Sequence, residues 1–191
     1  MQQYAHAFND DILLQNLFAQ KVNEHNPDIL IETGTLKGIT TEYLASFNKP
    51  VMTFEINENY YNESKEKLSG LSNVQMYHGD SATVMEKEFD KLQDKLVFAF
   101  LDAHWENDFC VERELTLFKK LNIKPIIMIH DFYVPGKDFG YDEYSGQRYD
   151  YEYFKPYFIN LYGEKGYTYL YNTEAVGCCR GVIIVEPVVA K

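Results

Sequence analysis

Two short stretches place acids and imidazoles together. "FLDAHWEND" carries Asp102 and His104, and "IMIHDFYVPG" carries His130 and Asp131. Carboxylates with imidazoles nearby can bind a divalent ion, or one imidazole can act as a general base. Both serve a reaction in which a hydroxyl loses its proton. A metal would lower the hydroxyl pKa and orient a vicinal diol, whereas His104 or His130 would accept the proton directly. Plainer roles stay open, since Asp102 could cap the next helix and His130 could be a satisfied core histidine.

A third stretch, "ILIETGTLKGITTEYL", ends an apolar run on Glu32 and bends through Gly34 and Gly38 into a helical pattern. The glycines let the backbone turn sharply and approach a ligand with no Cβ in the way. Glu55 closes the next apolar run, "VMTFE", where a carboxylate can accept hydrogen bonds from ribose hydroxyls. The spacing is not that of dinucleotide enzymes, and Lys37 precedes the second glycine instead of following it as in a phosphate-binding loop. An acid at position 32 would repel a pyrophosphate and favour a cationic ligand. The combination reads as a site for a nucleoside-containing ligand, with a ligand-free tight turn as the alternative.

These stretches need elements that bring them together. Helical patterns over 9–24, 39–47, 58–68, 81–92, 108–121 and 151–162 alternate with the strand-like runs "DILIE", "VMTFE", "NVQMYH", "LVFAFLD" and "PIIMIHD". Strands apolar throughout need cover on both faces, hence a parallel sheet between helices. "GYTYLYN" and "CRGVIIVEP" are joined too closely for a helical crossover and predict an antiparallel pair. The expected fold is α/β: a Rossmann-like three-layer α/β/α sandwich whose mostly parallel seven-stranded sheet ends in an antiparallel C-terminal hairpin. One domain is expected over 1–191, with an N-terminal helix within 1–27 and a lid or acceptor loop at 132–149. In such sheets ligands bind beyond the carboxyl ends of the strands, so Asp102, His104, His130 and Asp131 would surround one point.

Residues 28–131 resemble a class I S-adenosylmethionine-dependent methyltransferase. "IETGTLKG" matches the acid-x-Gly-x-x-x-Gly motif, "FEIN" the acidic end of strand two, and "HGDS" the Asp after strand three. The resemblance implies that S-adenosylmethionine is held by Glu32 near the methionine end, by the loop residues Gly34, Thr35, Gly38 and Thr40, by Glu55 at the ribose, by Ile56 against adenine, and by Asp80 with Ser81 at the adenine edge. The Asp/His pairs resemble the metal-dependent O-methyltransferases, of the catechol type and the macrocin type that acts on sugar hydroxyls. It implies catalytic roles for Asp102, His104 and His130 and a divalent ion, Mg or Mn, on Asp102, His130 and Asp131. Those families carry an acidic or Asp-Asn pair where this chain has His130-Asp131, and a histidine ligand tilts the choice from Mg²⁺ toward Mn²⁺, Fe²⁺ or Zn²⁺. The implied acceptor is a small hydroxylated molecule such as a sugar or phenol.

Composition narrows the rest. A net charge of −11 without any Lys/Arg block argues against a nucleic-acid surface. No window holds 18 apolar residues and the N-terminus lacks a signal core, so no membrane partner and a cytoplasmic location are expected. Three cysteines without disulfide or zinc spacing read as small apolar residues in or near a late strand. Tyr141, Tyr144 and Tyr149 either line an acceptor pocket or pack core or a homodimer surface, and Trp105 is a pocket wall or a buried anchor. Two other functions stay in view on the same sheet: an NAD-dependent oxidoreductase, disfavoured by the missing glycine pattern, and a non-catalytic nucleoside-binding module, against which the His/Asp cluster argues.

Overall fold

A computed structural model describes residues 4–104 and 110–188. In chain order the elements are α1 (Ala7–Asp10), α2 (Ile12–His25), β1 (Ile29–Thr33), α3 (Ile39–Ala45), β2 (Val51–Glu55), α4 (Glu58–Lys67), β3 (Val74–His78), α5 (Ser81–Lys87), β4 (Val97–Leu101), α6 (Cys110–Lys120), β5 (Ile126–Ile129), β6 (Glu143–Tyr144), β7 (Gln147–Arg148), α7 (Tyr151–Tyr162), β8 (Tyr167–Tyr171) and β9 (Ile183–Pro187). The main sheet runs β3-β2-β1-β4-β5-β9-β8. Its first five strands are parallel, and β9 lies antiparallel between β5 and β8. The Rossmann-like sheet and its terminal hairpin are as expected from the sequence. No helix among the described residues is long and apolar enough to cross a membrane.

Strand alternation divides the core in two. Ile29, Ile31, Val97, Ala99, Leu101, Ile127 and Ile129 point to one face, beneath α6 and α7. Leu30, Phe98, Phe100, Ile126 and Met128 point to the other, beneath α2 and α3. Each buried phenylalanine on these faces contributes about 1.5–3 kcal/mol relative to exposure. The helices expected over 58–68 and 81–92 end sooner as α-helix and continue as single 3₁₀ turns, Leu68–Gly70 and Phe89–Lys91.

The N-terminus departs further from expectation, because the helix expected over 9–24 begins only at Ile12. The Asp11 carboxylate caps α2 by accepting from the Leu13 and Leu14 amides, both at 3.0 Å. Before it, Phe8, Asn9 and Asp10 all have positive φ (53°, 56° and 66°), so α1 is a left-handed turn. Each such residue costs roughly 1–2 kcal/mol. Burial of Phe8 offsets part of that cost, its ring lying 4.9 Å from Phe100 and 5.5 Å from Phe18. The Phe8 amide also donates to Thr40 Oγ1 at 3.1 Å, and the Cys178 amide to the Asn9 carbonyl at 3.1 Å.

Glu32 stitches β1 to its neighbours. It is only 1% exposed, and its Oε2 accepts from the hydroxyls of Thr41 on α3 and Thr53 on β2, the latter at 2.6 Å. Thr35 Oγ1 lies 2.6 Å from Thr53 Oγ1 and extends the chain into the loop after β1. Burial pushes the Glu32 carboxyl up to about 8, against the two threonine hydrogen bonds that favour its charged form. Glu114 on α6, fully buried and bonded by Ser81, is raised to about 7 by burial as well. Unfolded, each would titrate near 4.5. Between that value and the folded one the native state keeps a proton that the unfolded chain has released, so stability falls as pH rises through this window. We expect unfolding free energy to drop by several kcal/mol between about pH 5 and 8.5. Glu32→Gln, which keeps a neutral acceptor for both threonines, should flatten that slope in thermal melts; an unchanged slope would mean that Glu32 is ionised in the fold.

Candidate functional site

The sheet register aligns the chemistry. Thr33 pairs with Leu101, and Leu101 with Ile129, so Gly34, Asp102 and His130 follow in one row at the carboxyl rim. The Asp102 amide donates to the Thr33 carbonyl at 3.2 Å, and the His130 amide to the Leu101 carbonyl at 3.1 Å. Gly34 has φ 84°, and a Cβ there would lie 2.9 Å from the Asp102 carbonyl oxygen, so only glycine lets these two strand tips meet.

A cavity of about 590 Å³ opens along this rim. That is within the range of sites for small molecules and cofactors. Glu55, Ile56, Asp80 and Ser81 line its β2–β3 side, and Gly34, Asp102, His104 and Asp131 its β4–β5 side. A smaller cavity of about 100 Å³ continues past Thr35 and Thr40 and shares Asn9, Gly34, Leu36 and Asp102 with the first. Glu55 is fixed in place: its Oε2 accepts from the Leu36 amide and its Oε1 from the Asn57 amide, both at 2.8 Å. Each carboxylate oxygen keeps a second lone pair for a ligand hydroxyl. Ile56 is 45% exposed and offers an apolar shelf at the same wall. Asp80 caps α5 through the Thr83 amide at 2.9 Å and pairs with Arg113 at 2.7 Å. Burial raises its pKa, but Thr83 and Arg113 outweigh it and hold the carboxyl below its usual value.

Two of the residues expected around the ligand lie elsewhere. Glu32 borders neither cavity, because strand alternation turns its side chain under α3, where it is buried and bonded to threonines. Gly38 is absent from both linings too. It starts α3 in a left-handed conformation, and a Cβ there would press on the Leu68 side chain at 3.1 Å.

At the β4–β5 tips the structure brings together all four residues that the sequence singled out. His130 is 3% exposed, and its Nδ1 lies 3.0 Å from Asp102 Oδ1 and 3.1 Å from Asp131 Oδ1. Burial alone would lower its pKa, but the charges of Asp102 and Asp131 outweigh it and hold the ring well above the ordinary histidine value. Asp131 is depressed in turn: its own burial opposes ionisation, and His130 and Arg180 overcome it. Asp131 also sits at φ 58°, a left-handed conformation that a non-glycine residue adopts only under constraint. Through Nδ1 the buried His130 ring thus bridges the carboxylates of Asp102 and Asp131. His104 is exposed at the cavity wall, with a ring nitrogen within 4.8 Å of carboxylate oxygens of Asp131 and Asp142.

Asp142 and Arg180 were not anticipated. Arg180 Nε donates to Asp131 and its Nη2 to Asp142, joining the 132–149 segment to the loop before β9. That segment is tied down along its length. The Tyr133 amide donates to the Tyr149 carbonyl at 2.7 Å, the Asp142 amide to the Asp131 carbonyl at 2.8 Å, and β6 pairs with β7. Tyr149 is buried and Tyr144 packs against the core, while Tyr141 stands edge-on to Tyr133. None of the three lines the larger cavity. Trp105 lies outside the described residues. Cys178 and Cys179 occupy a turn ahead of β9, and Cys110 starts α6 at the cavity wall.

No protein-family profile matches the chain, and no curated protein matches its sequence. Solved structures do match its fold. The O-methyltransferase TomG from Streptomyces achromogenes, in complex with S-adenosylmethionine (SAM), superposes with a TM-score of 0.66 at 16% identity, over 93% of this chain and 80% of that one. An O-methyltransferase from Bacillus cereus in complex with S-adenosylhomocysteine (SAH) gives 0.64 at 16% identity, over 91% and 80%. The N-terminal domain of EvdMO1, solved in the presence of SAH and D-fucose, gives 0.57 at 16% identity, over 90% and 79%. Across most of its length, the chain has the fold of these O-methyltransferases.

Proposed function

We propose that this protein is a SAM-dependent O-methyltransferase acting on a small hydroxylated acceptor such as a sugar or phenol. The observation that carries the reading is one continuous cavity with a fixed, hydroxyl-accepting Glu55 at one end and the Asp102–His104–Asp131 tips at the other. The shared fold supports it.

On this reading Glu55 binds the ribose hydroxyls, Ile56 packs on the adenine, and Asp80 with Ser81 faces the adenine edge. Bound SAM supplies an activated methyl group: the acceptor oxygen bonds to the methyl carbon as the carbon–sulfur bond breaks, and that electron pair leaves with sulfur to give SAH. Asp102 accepts a hydrogen bond from the acceptor hydroxyl and so points its oxygen into the cavity. His130 holds Asp102 in that orientation from behind the wall. His104 takes the acceptor proton, and the nearby Asp131 and Asp142 carboxylates stabilise the imidazolium that forms. The rest of the acceleration comes from proximity and orientation across the rim.

The reading predicts that SAH binds in calorimetric titration and NAD does not; binding of NAD alone would point to an oxidoreductase instead. Glu55→Ala should weaken SAH by about tenfold or more, the scale of hydrogen bonds to a charged group. His104→Gln should leave SAH affinity intact and lower the turnover of a catechol or hexose acceptor by roughly 10²–10⁴-fold, followed as SAH release. Turnover by His104→Gln equal to that of wild type would move the base to another residue.

A further inference from the structure

The acidic cluster at the rim already holds a cation. Ligand atoms of Asp102, His130 and Asp131 lie within 4.8 Å of one another, and so do those of His104, Asp131 and Asp142. That spacing would suit a divalent ion. One oxygen of each carboxylate is already engaged, however. Asp131 and Asp142 both accept from Arg180, and Asp102 and Asp131 share the His130 Nδ1. A hard cation collects six or more oxygen ligands with its charge unopposed by neighbouring cations. Here it would stand beside the Arg180 guanidinium, at separations where like charges repel strongly.

Arg180 is built into this position. A Cβ on Gly140 would lie 2.7 Å from Arg180 Nη1 and 2.8 Å from its Cδ, so the guanidinium lies in a space that only glycine leaves open. The flanking backbone is bracketed: the Gly140 amide donates to the Cys179 carbonyl and the Gly181 amide to the Gly140 carbonyl, both at 2.9 Å. Buried Asn172 donates through Nδ2 to the Arg180 carbonyl at 3.1 Å and accepts the Val182 amide at 2.8 Å.

We propose that Arg180 is the resident cation of the acceptor site, closing the Asp102–Asp131–Asp142 cluster to divalent metals and positioning Asp131, so that this enzyme works without a metal ion. The donor set therefore does not fit the divalent ion that its O-methyltransferase resemblance implies. The proposal rests on the reading of the rim as a methyl-transfer site, and the two fail separately.

The test is Mn²⁺ binding, followed by water-proton relaxation and calorimetry on the full chain, with an SAH titration of every variant. Wild type should bind Mn²⁺ no tighter than millimolar. Arg180→Met should bind one equivalent at least about tenfold tighter, because a unit charge has left the cluster. Arg180→Lys, which keeps the charge, should stay like wild type, and adding Asp131→Asn to Arg180→Met should abolish the gain. Stoichiometric micromolar Mn²⁺ binding by wild type would overturn the proposal, and that arm stands even if Arg180→Met fails to fold. An Arg180→Met protein that binds SAH but takes Mn²⁺ no better than wild type would overturn the role of Arg180. Absence of SAH binding in wild type would instead count against the methyltransferase reading, whatever the Mn²⁺ result.

Discussion

Parallel register at the centre of the sheet governs the arrangement of this molecule. Because Thr33, Leu101 and Ile129 stand side by side on β1, β4 and β5, the next residue of each strand arrives at the same rim. Gly34, Asp102 and His130 are therefore neighbours through backbone hydrogen bonding, before any side chain makes contact. Gly34 then decides how near the loop after β1 approaches the tip of β4, since a Cβ would meet the Asp102 carbonyl. A slip of one residue along β4 would turn Asp102 to another face and dissolve the site.

Electrostatics at the rim follow from how much water each group keeps. Glu32 has only acids for charged neighbours, Glu114 feels Arg113 less than it feels burial, and burial raises both carboxyls. Asp131 is equally hidden, yet stays charged because His130 and Arg180 surround it. A buried pair of this kind is weak evidence of stability, since desolvation consumes much of the Coulombic gain. Its consequence is geometric: it fixes which way Asp102 and Asp131 point.

Much of this was legible beforehand. Five uninterrupted apolar runs, each divided from the next by a helical pattern, leave a parallel sheet as their only way to be covered on both sides. Acids at the ends of those runs then fall at the carboxyl rim of the sheet, which is why Glu55, Asp80, Asp102 and Asp131 sit at the cavity. Glu32 has the same appearance in sequence and a different place, because it is still inside β1 and its side chain follows the strand alternation under α3. The tyrosines of the 132–149 segment look alike in the sequence as well, and only packing separates buried Tyr149 from exposed Tyr141. At the N-terminus, a helical pattern over 9–24 masks a left-handed turn, since periodicity carries no sign of φ and Asp11 caps the helix that follows.

By itself the sequence determined the strand-helix alternation and the residues that end each strand at the rim, because these depend on local apolar period and on chain order. The tertiary structure alone decided that β9 enters antiparallel beside β5. That reversal puts the beginning of the last strand, where every other central strand has its end, at the rim. Arg180 reaches Asp131 for this reason, across a separation in the chain over which no spacing or periodicity can signal contact.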